Sequence, residues 1–126
     1  HVGDSSVYHK NGQGFEHIST SHTLGNELIE KHGPEAMNDM PDHYMHTLTR
    51  CMGQDIDFSV DVSTYSIKAG DGVLICSDGV TNMVDEDIIE SVMKEHEPKD
   101  YVPALIDLAN QNGGVDNSTI VSFLVN

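Results

Sequence analysis

Apolar and polar positions along this chain fall into short blocks whose period changes from one block to the next. VYHK and FEHIS flank Asn11-Gly12, a pair that tolerates the positive φ angles of a tight type I′ turn, so residues 2–18 are predicted to form a β-hairpin. Leu24, Leu28 and Ile29 share one helical face, and Gly33-Pro34 stops the helix predicted from about Leu24 to His32. From Glu35 to His46 no period holds, which predicts a loop or a short irregular helix. Phe58, Val60 and Val62 alternate with Ser59, Asp61 and Ser63, the period of a half-buried strand, with a phase slip and a bulge near Thr64-Tyr65.

Lys68 to Gly72 reads as a turn, and the unbroken apolar run Val73 to Cys76 as a strand buried on both faces. Asp85 offers an N-cap for a helix whose stripe of Ile88, Ile89, Val92 and Met93 faces the core, and Pro98 ends it. A further helix starts near Asp100, accepts Pro103 in its first turn and buries Val102, Leu105, Ile106 and Ala109 until Gly113-Gly114. The last strand is predicted from about Ser118 to Val125. Neighbouring strands joined by short turns, with helices between pairs, predict an α+β fold with antiparallel sheet packed against helices.

Length and charge narrow the function. The 126 residues make one domain at most, and the hydrophobic share of 37% supports a folded core. Six Lys and Arg stand against 21 Asp and Glu, a net charge of −15, which argues against nucleic acid and anionic membrane as partners and in favour of a cation. No apolar run approaches the roughly 20 residues that span a bilayer, and His1–Lys10 has no signal-peptide pattern, so the expectation is a cytoplasmic protein. Cys51 and Cys76 are expected as free thiols in a reducing compartment. The chain opens and closes close to predicted strands, which raises the expectation that it is the second part of a larger domain.

Three aspartates stand at the ends of the most apolar strands: Asp78 follows VLICS, Asp116 precedes STIVSFLV and Asp4 precedes SSVYH. If these strands lie antiparallel in one sheet, the three carboxylates converge at one edge. Like charges so placed call for a compensating cation, and hard oxygen ligands suit Mg²⁺ or Mn²⁺. Taken singly, each aspartate is also an ordinary turn residue.

The words around these aspartates, VGDSSVY, LTRCMG, GDGVLICSDGVTNMV and GGVDNSTIV, resemble in order and approximate spacing the C-terminal half of protein phosphatase 2C-like enzymes, the metal-dependent serine/threonine protein phosphatases. The resemblance spans residues 1–126. It implies an α-β-β-α four-layer fold, an antiparallel β-sandwich flanked by helices, of which only the C-terminal part is present. It implies two Mg²⁺ or Mn²⁺ ions with Asp78 and Asp116 among their ligands, and a third, weaker ion for which Asp4 is a ligand together with Asp78. Residues 33–50 fall where the family carries a flap. The implied reaction is attack of a metal-activated water on phosphoserine or phosphothreonine in a phosphoprotein substrate.

Several features depart from that pattern. The family's N-terminal half, with its Asp-Gly metal ligands, arginine and general-acid histidine, has no counterpart here, so no catalytic residue beyond the metal ligands is expected and residues 1–126 alone are expected to be inactive. The common Gly-Asp-Ser-Arg ends in Ser6, and Asn82 stands where many members have a third-site aspartate, which weakens that site. The alternative reading is a catalytically inactive phosphatase-like module that binds metal or a partner. The single arginine, Arg50, reads as a structural hydrogen-bond donor. The eight histidines, His22, His43, His46 and His96 among them, read as surface or local hydrogen-bonding residues. Expected partners are the missing N-terminal half and, through open sheet edges, a further copy of the chain.

Overall fold

The computed structural model describes residues 1–54 and 59–126, which divide into two compact units. One joins Ser5–Ser19 to Tyr65–Asn126; the other joins His1–Asp4 to Thr20–Thr64.

The larger unit is built on a four-stranded antiparallel sheet of β1 (Ser6–Asn11), β2 (Gly14–His17), β3 (Gly72–Cys76) and β4 (Ile120–Leu124), in the order β2-β1-β3-β4. The β1–β2 hairpin forms as expected, but its turn is not type I′. Gly12 does not take a positive φ, and no described residue other than glycine does. Instead the Asn11 side-chain oxygen accepts the amides of Gln13 and Gly14 at 2.8 and 3.0 Å, so the asparagine closes the turn with its side chain. The turn before β3 follows the predicted position. Gly70 takes φ +93, and the Asp71 amide donates to the Lys68 carbonyl at 3.0 Å, the arrangement of a turn that needs glycine third.

Register divides the sheet into two faces. Tyr8, Leu74 and Ser122 are cross-strand neighbours on one face, and Val7, Ile75 and Val121 on the other. Against the first face pack α2 (Asp78–Thr81), α3 (Glu86–Glu95) and α4 (Pro98–Gln111), closing a core of Tyr8, Leu74, Cys76, Val80, Val84, Ile89, Met93, Tyr101, Leu105 and Ala109. Burial pushes the Cys76 thiol and the Tyr8 hydroxyl up to about 12, so neither ionises near neutrality. Ser122 donates to the Val73 carbonyl at 2.6 Å and so accepts from the Tyr101 hydroxyl at 2.5 Å, tying α4 to the sheet. The opposite face carries Ile75, Val121 and Phe123, which are 39, 57 and 44% exposed. Full burial of β3 on both faces, as expected from its run, therefore holds at Val73 and Leu74 and fails at Ile75.

Three helix expectations need correction. Ile88 is exposed, because the core-facing stripe of α3 runs through Ile89 and Met93. Pro98 opens α4 instead of merely ending α3, since its fixed φ and missing N–H suit a first helical position. Pro103 consequently lies inside α4, beyond the first turn.

In the other unit, α1 runs from Leu24 to His32 as predicted. Thr23 caps it by accepting the Asn26 amide at 3.3 Å, and Gly33 ends it at φ +87. Two 3₁₀ helices, Pro34–Asn38 and Asp42–His46, fill most of the irregular stretch. The alternating strand expected here is not formed. Phe58 lies outside the described residues, and the described remainder has no strand ladder, with Val60 and Val62 exposed. Alternation gives a strand only where a ladder partner exists. Among the described residues the backbone of this stretch pairs with His1, whose carbonyl accepts the Asp61 amide at 3.0 Å and whose amine donates to the Asp61 carbonyl at 2.7 Å.

Candidate metal centre

β3 and β4 are antiparallel neighbours, so the chain leaving Cys76 meets the chain entering Ile120. Short polar side chains stitch the two segments together. The Ser77 amide donates to the Thr119 carbonyl and the Thr119 amide to the Ser77 hydroxyl, both at 3.0 Å. The Ser77 hydroxyl donates to the Asn117 carbonyl at 3.1 Å, and the Ser118 hydroxyl to the Gly79 carbonyl at 2.9 Å.

Gly79 explains why the sequence is Ser-Asp-Gly. A Cβ at this buried position would lie 2.5 Å from the Asn117 carbonyl oxygen and 3.3 Å from that of Asp116, contacts with backbone that cannot rotate away. The missing side chain lets the Asp78-Gly79 turn sit directly on the Asp116-Asn117 turn. Asp78 is half-exposed and Asp116 exposed, so both carboxylates retain access to solvent and to a cation. Asp116 accepts its neighbour's amide, Asn117 N–H, at 2.6 Å, which orients the carboxylate. One turn after Asp78, the Asn82 side-chain amide makes a long contact of 3.5 Å as donor to the Asp78 carboxylate. Asn82 thus places a neutral amide beside the Asp78 carboxylate.

Of the three carboxylates expected at one edge, Asp78 and Asp116 lie in the unit of the sheet and Asp4 in the other. Among the described residues no three His, Cys, Asp or Glu side chains form a group able to hold a metal ion. The observed juxtaposition is the backbone pairing that carries Asp78 and Asp116; Asp4 falls in the other unit.

Two polar networks escaped the sequence reading because their members are distant in the chain. His9 is buried and pairs with Asp71, Nε2 to Oδ2 at 3.0 Å. The Lys68 amide, and then His9, hold the Asp71 carboxyl below the ordinary carboxylate range, against the opposing effect of burial. In the unit of α1, His22 is also buried, contrary to a surface role. Its Nε2 lies 2.8 Å from Asp61 Oδ2, while Arg50 donates to Asp61 Oδ1 at 2.9 Å. Those hydrogen bonds, His22 first, hold the Asp61 carboxyl below its usual value. Arg50 also donates to the Ser59 carbonyl and hydroxyl, so its structural reading agrees with the contacts it makes. His43 packs edge-on against Tyr44, and His46 and His96 are exposed.

The chain matches no protein-family model. It is 30% identical over 129 residues to protein phosphatase PhpP of Streptococcus pneumoniae, covering 100% of this chain and 52% of that protein. The solved serine/threonine phosphatase of S. agalactiae superposes with a TM-score of 0.87 at 30% identity, over 100% of this chain and 52% of the other. The catalytic domain of the serine/threonine protein phosphatase PstP, solved in complex with two manganese ions, gives 0.82 at 25% identity, over 100% and 52%. The fold is therefore that of the phosphatase 2C-type serine/threonine phosphatases. The chain spans about half the length of the relatives it matches. Among the described residues no helix is long and apolar enough to cross a membrane.

Proposed function

We propose that residues 1–126 contribute to a metal-dependent phosphatase that dephosphorylates phosphoserine and phosphothreonine in proteins. The observation that carries this reading is the seat of Asn117 on Gly79, which sets Asp78 and Asp116 on two interlocked turns at the junction of β3 and β4. The donor set fits the cation: carboxylate oxygens accessible to solvent suit Mg²⁺ or Mn²⁺, and no soft ligand is needed. Asp78 and Asp116 would hold the ions of a two-metal centre, and Asp4 would serve a third, weaker one. When bound, the ions supply acidification of a water nucleophile and compensation of phosphoryl charge. The chain's own groups orient those ligands: Ser77 and Ser118 fix the turns, the Asn117 amide aims Asp116, and Asn82 restrains Asp78.

The remaining ligands would come from the half of the domain that the relatives have beyond the matched part, whose sheet would cover Ile75, Val121 and Phe123 and without which residues 1–126 would be inactive. That half is the expected macromolecular partner, with self-association through β4 as its substitute when it is lacking. Residues 33–50 are proposed as the flap. The full-length polypeptide should hydrolyse a phosphothreonine peptide with Mn²⁺, and Asp78→Asn should reduce kcat/KM by about a hundredfold or more. Undiminished turnover in that variant would contradict the proposal. A second reading, an inactive metal- or partner-binding module, is favoured by Asn82, a neutral amide beside Asp78 where a third-site carboxylate would add charge. Mn²⁺ binding without turnover by the full-length polypeptide would select it.

A further inference from the structure

We propose that His22 is a positioning residue for Asp4, a role that rests on the reading of Asp4 as a ligand of the third ion. His22 takes both backbone hydrogen-bonding groups of Gly3, the residue immediately before Asp4. The Gly3 amide donates to His22 Nδ1 at 3.1 Å, and the His22 amide donates to the Gly3 carbonyl at 2.8 Å. That carbonyl belongs to the peptide bond joining Gly3 to Asp4, so His22 holds the plane from which Asp4 departs.

The ring can do this in one protonation state. An amide only donates, so Nδ1 carries no proton; Nε2 carries it and donates to Asp61. Asp61 is fixed in turn by Arg50 and by backbone pairing with His1. The His22 carbonyl accepts the Thr49 amide at 2.9 Å, which anchors the histidine from a third side. The ring itself is 1% exposed, although its partner Asp61 is reached by solvent. Gly3 itself takes φ +106 with nothing within 4 Å of a would-be Cβ, so backbone conformation and not space demands glycine. The chain's one arginine thus serves the acid that orients the histidine that holds the peptide before Asp4.

Two substitutions separate positioning from general support. His22→Asn keeps an acceptor near the Nδ1 position and loses the Asp61 bond; His22→Gln keeps a donor for Asp61 and loses the acceptor for Gly3. In the full-length polypeptide, Mn²⁺ titration followed by the electron paramagnetic resonance of free ion should show the weakest site weakened about tenfold by Asp4→Asn and by His22→Gln, and nearly unchanged in His22→Asn. Nitrogen-15 spectra of the wild-type His22 ring should show Nδ1 unprotonated. Weakening of both histidine variants in step with their melting temperatures would overturn the proposal and leave a purely structural histidine. If Asp4→Asn weakens the site and His22→Gln does not, positioning fails while the ligand reading stands. If Asp4→Asn has no effect, that reading falls and the proposal with it. Should the histidine variants not fold, Gly3→Ala decides: it strains the same peptide without touching His22 and should weaken the same site, and an unchanged site would overturn the proposal.

Discussion

In the unit that carries the sheet, the largest fully buried side chains are Tyr8, Leu74, Ile89, Met93 and Leu105; in the unit of α1 they are His22 and Thr23. The first unit is held by apolar area, which is non-directional and tolerates exchange of similar shapes. The second is held by a hub of directed hydrogen bonds from His22, Asp61 and Arg50, which stabilises only while every member is satisfied. The difference teaches where each kind of carboxylate can be placed. Asp78 and Asp116 ride on turns clamped by the sheet, whereas the peptide that leads into Asp4 is held by His22.

The contrast can be broken most severely at Leu105, which is completely buried between α4 and the sheet. Leu105→Ala should destabilise by about 2–5 kcal/mol, read as a lowered denaturation midpoint, and an unchanged midpoint would show that apolar packing does not hold this unit. Next comes Gly79→Ala. The added methyl meets the Asn117 carbonyl, so the two aspartate turns must part, at about 1–3 kcal/mol and with weaker Mn²⁺ binding. Normal binding in a folded Gly79→Ala protein would mean that close approach of the turns does not matter to the metal.

The smallest effect concerns pH. Asp71 has a folded-state pKa below its unfolded value, so its contribution is present above about pH 4 and is lost as pH falls through the folded value. Asp71→Asn should therefore flatten the acid limb of the stability curve in denaturant titrations below about pH 4, and a retained wild-type slope would show that the Asp71 carboxylate, with its Lys68 and His9 hydrogen bonds, contributes nothing.

Local signals were legible where the physics is local. The extent of α1 follows from the Leu24-Leu28-Ile29 stripe and the Gly33-Pro34 stop, all within one short segment. The hairpin was legible but its turn type was not, because Asn11 had two ways to close it, through φ or through its side chain, and only the hydrogen bonds distinguish them. Val60 and Val62 alternate like a strand, yet a strand also needs a neighbour, which periodicity does not report. His9 and His22 looked unremarkable because their partners, Asp71 and Asp61, stand 62 and 39 residues away. At the candidate site, the motif resemblance singled out Asp78 and Asp116, while the serines that lock them and the reason for Gly79 required coordinates.

The central claim is that Asp78 and Asp116 are metal ligands and not ordinary turn residues. Calorimetric titration of the full-length polypeptide with Mn²⁺, comparing wild type with Asp78→Asn and Asp116→Asn, tests it directly. Loss of high-affinity Mn²⁺ binding is expected in each variant with little change in melting temperature, since Asp78 is half-exposed and Asp116 exposed. Unchanged stoichiometry and affinity in either variant would contradict it and return that aspartate to the role of a turn residue.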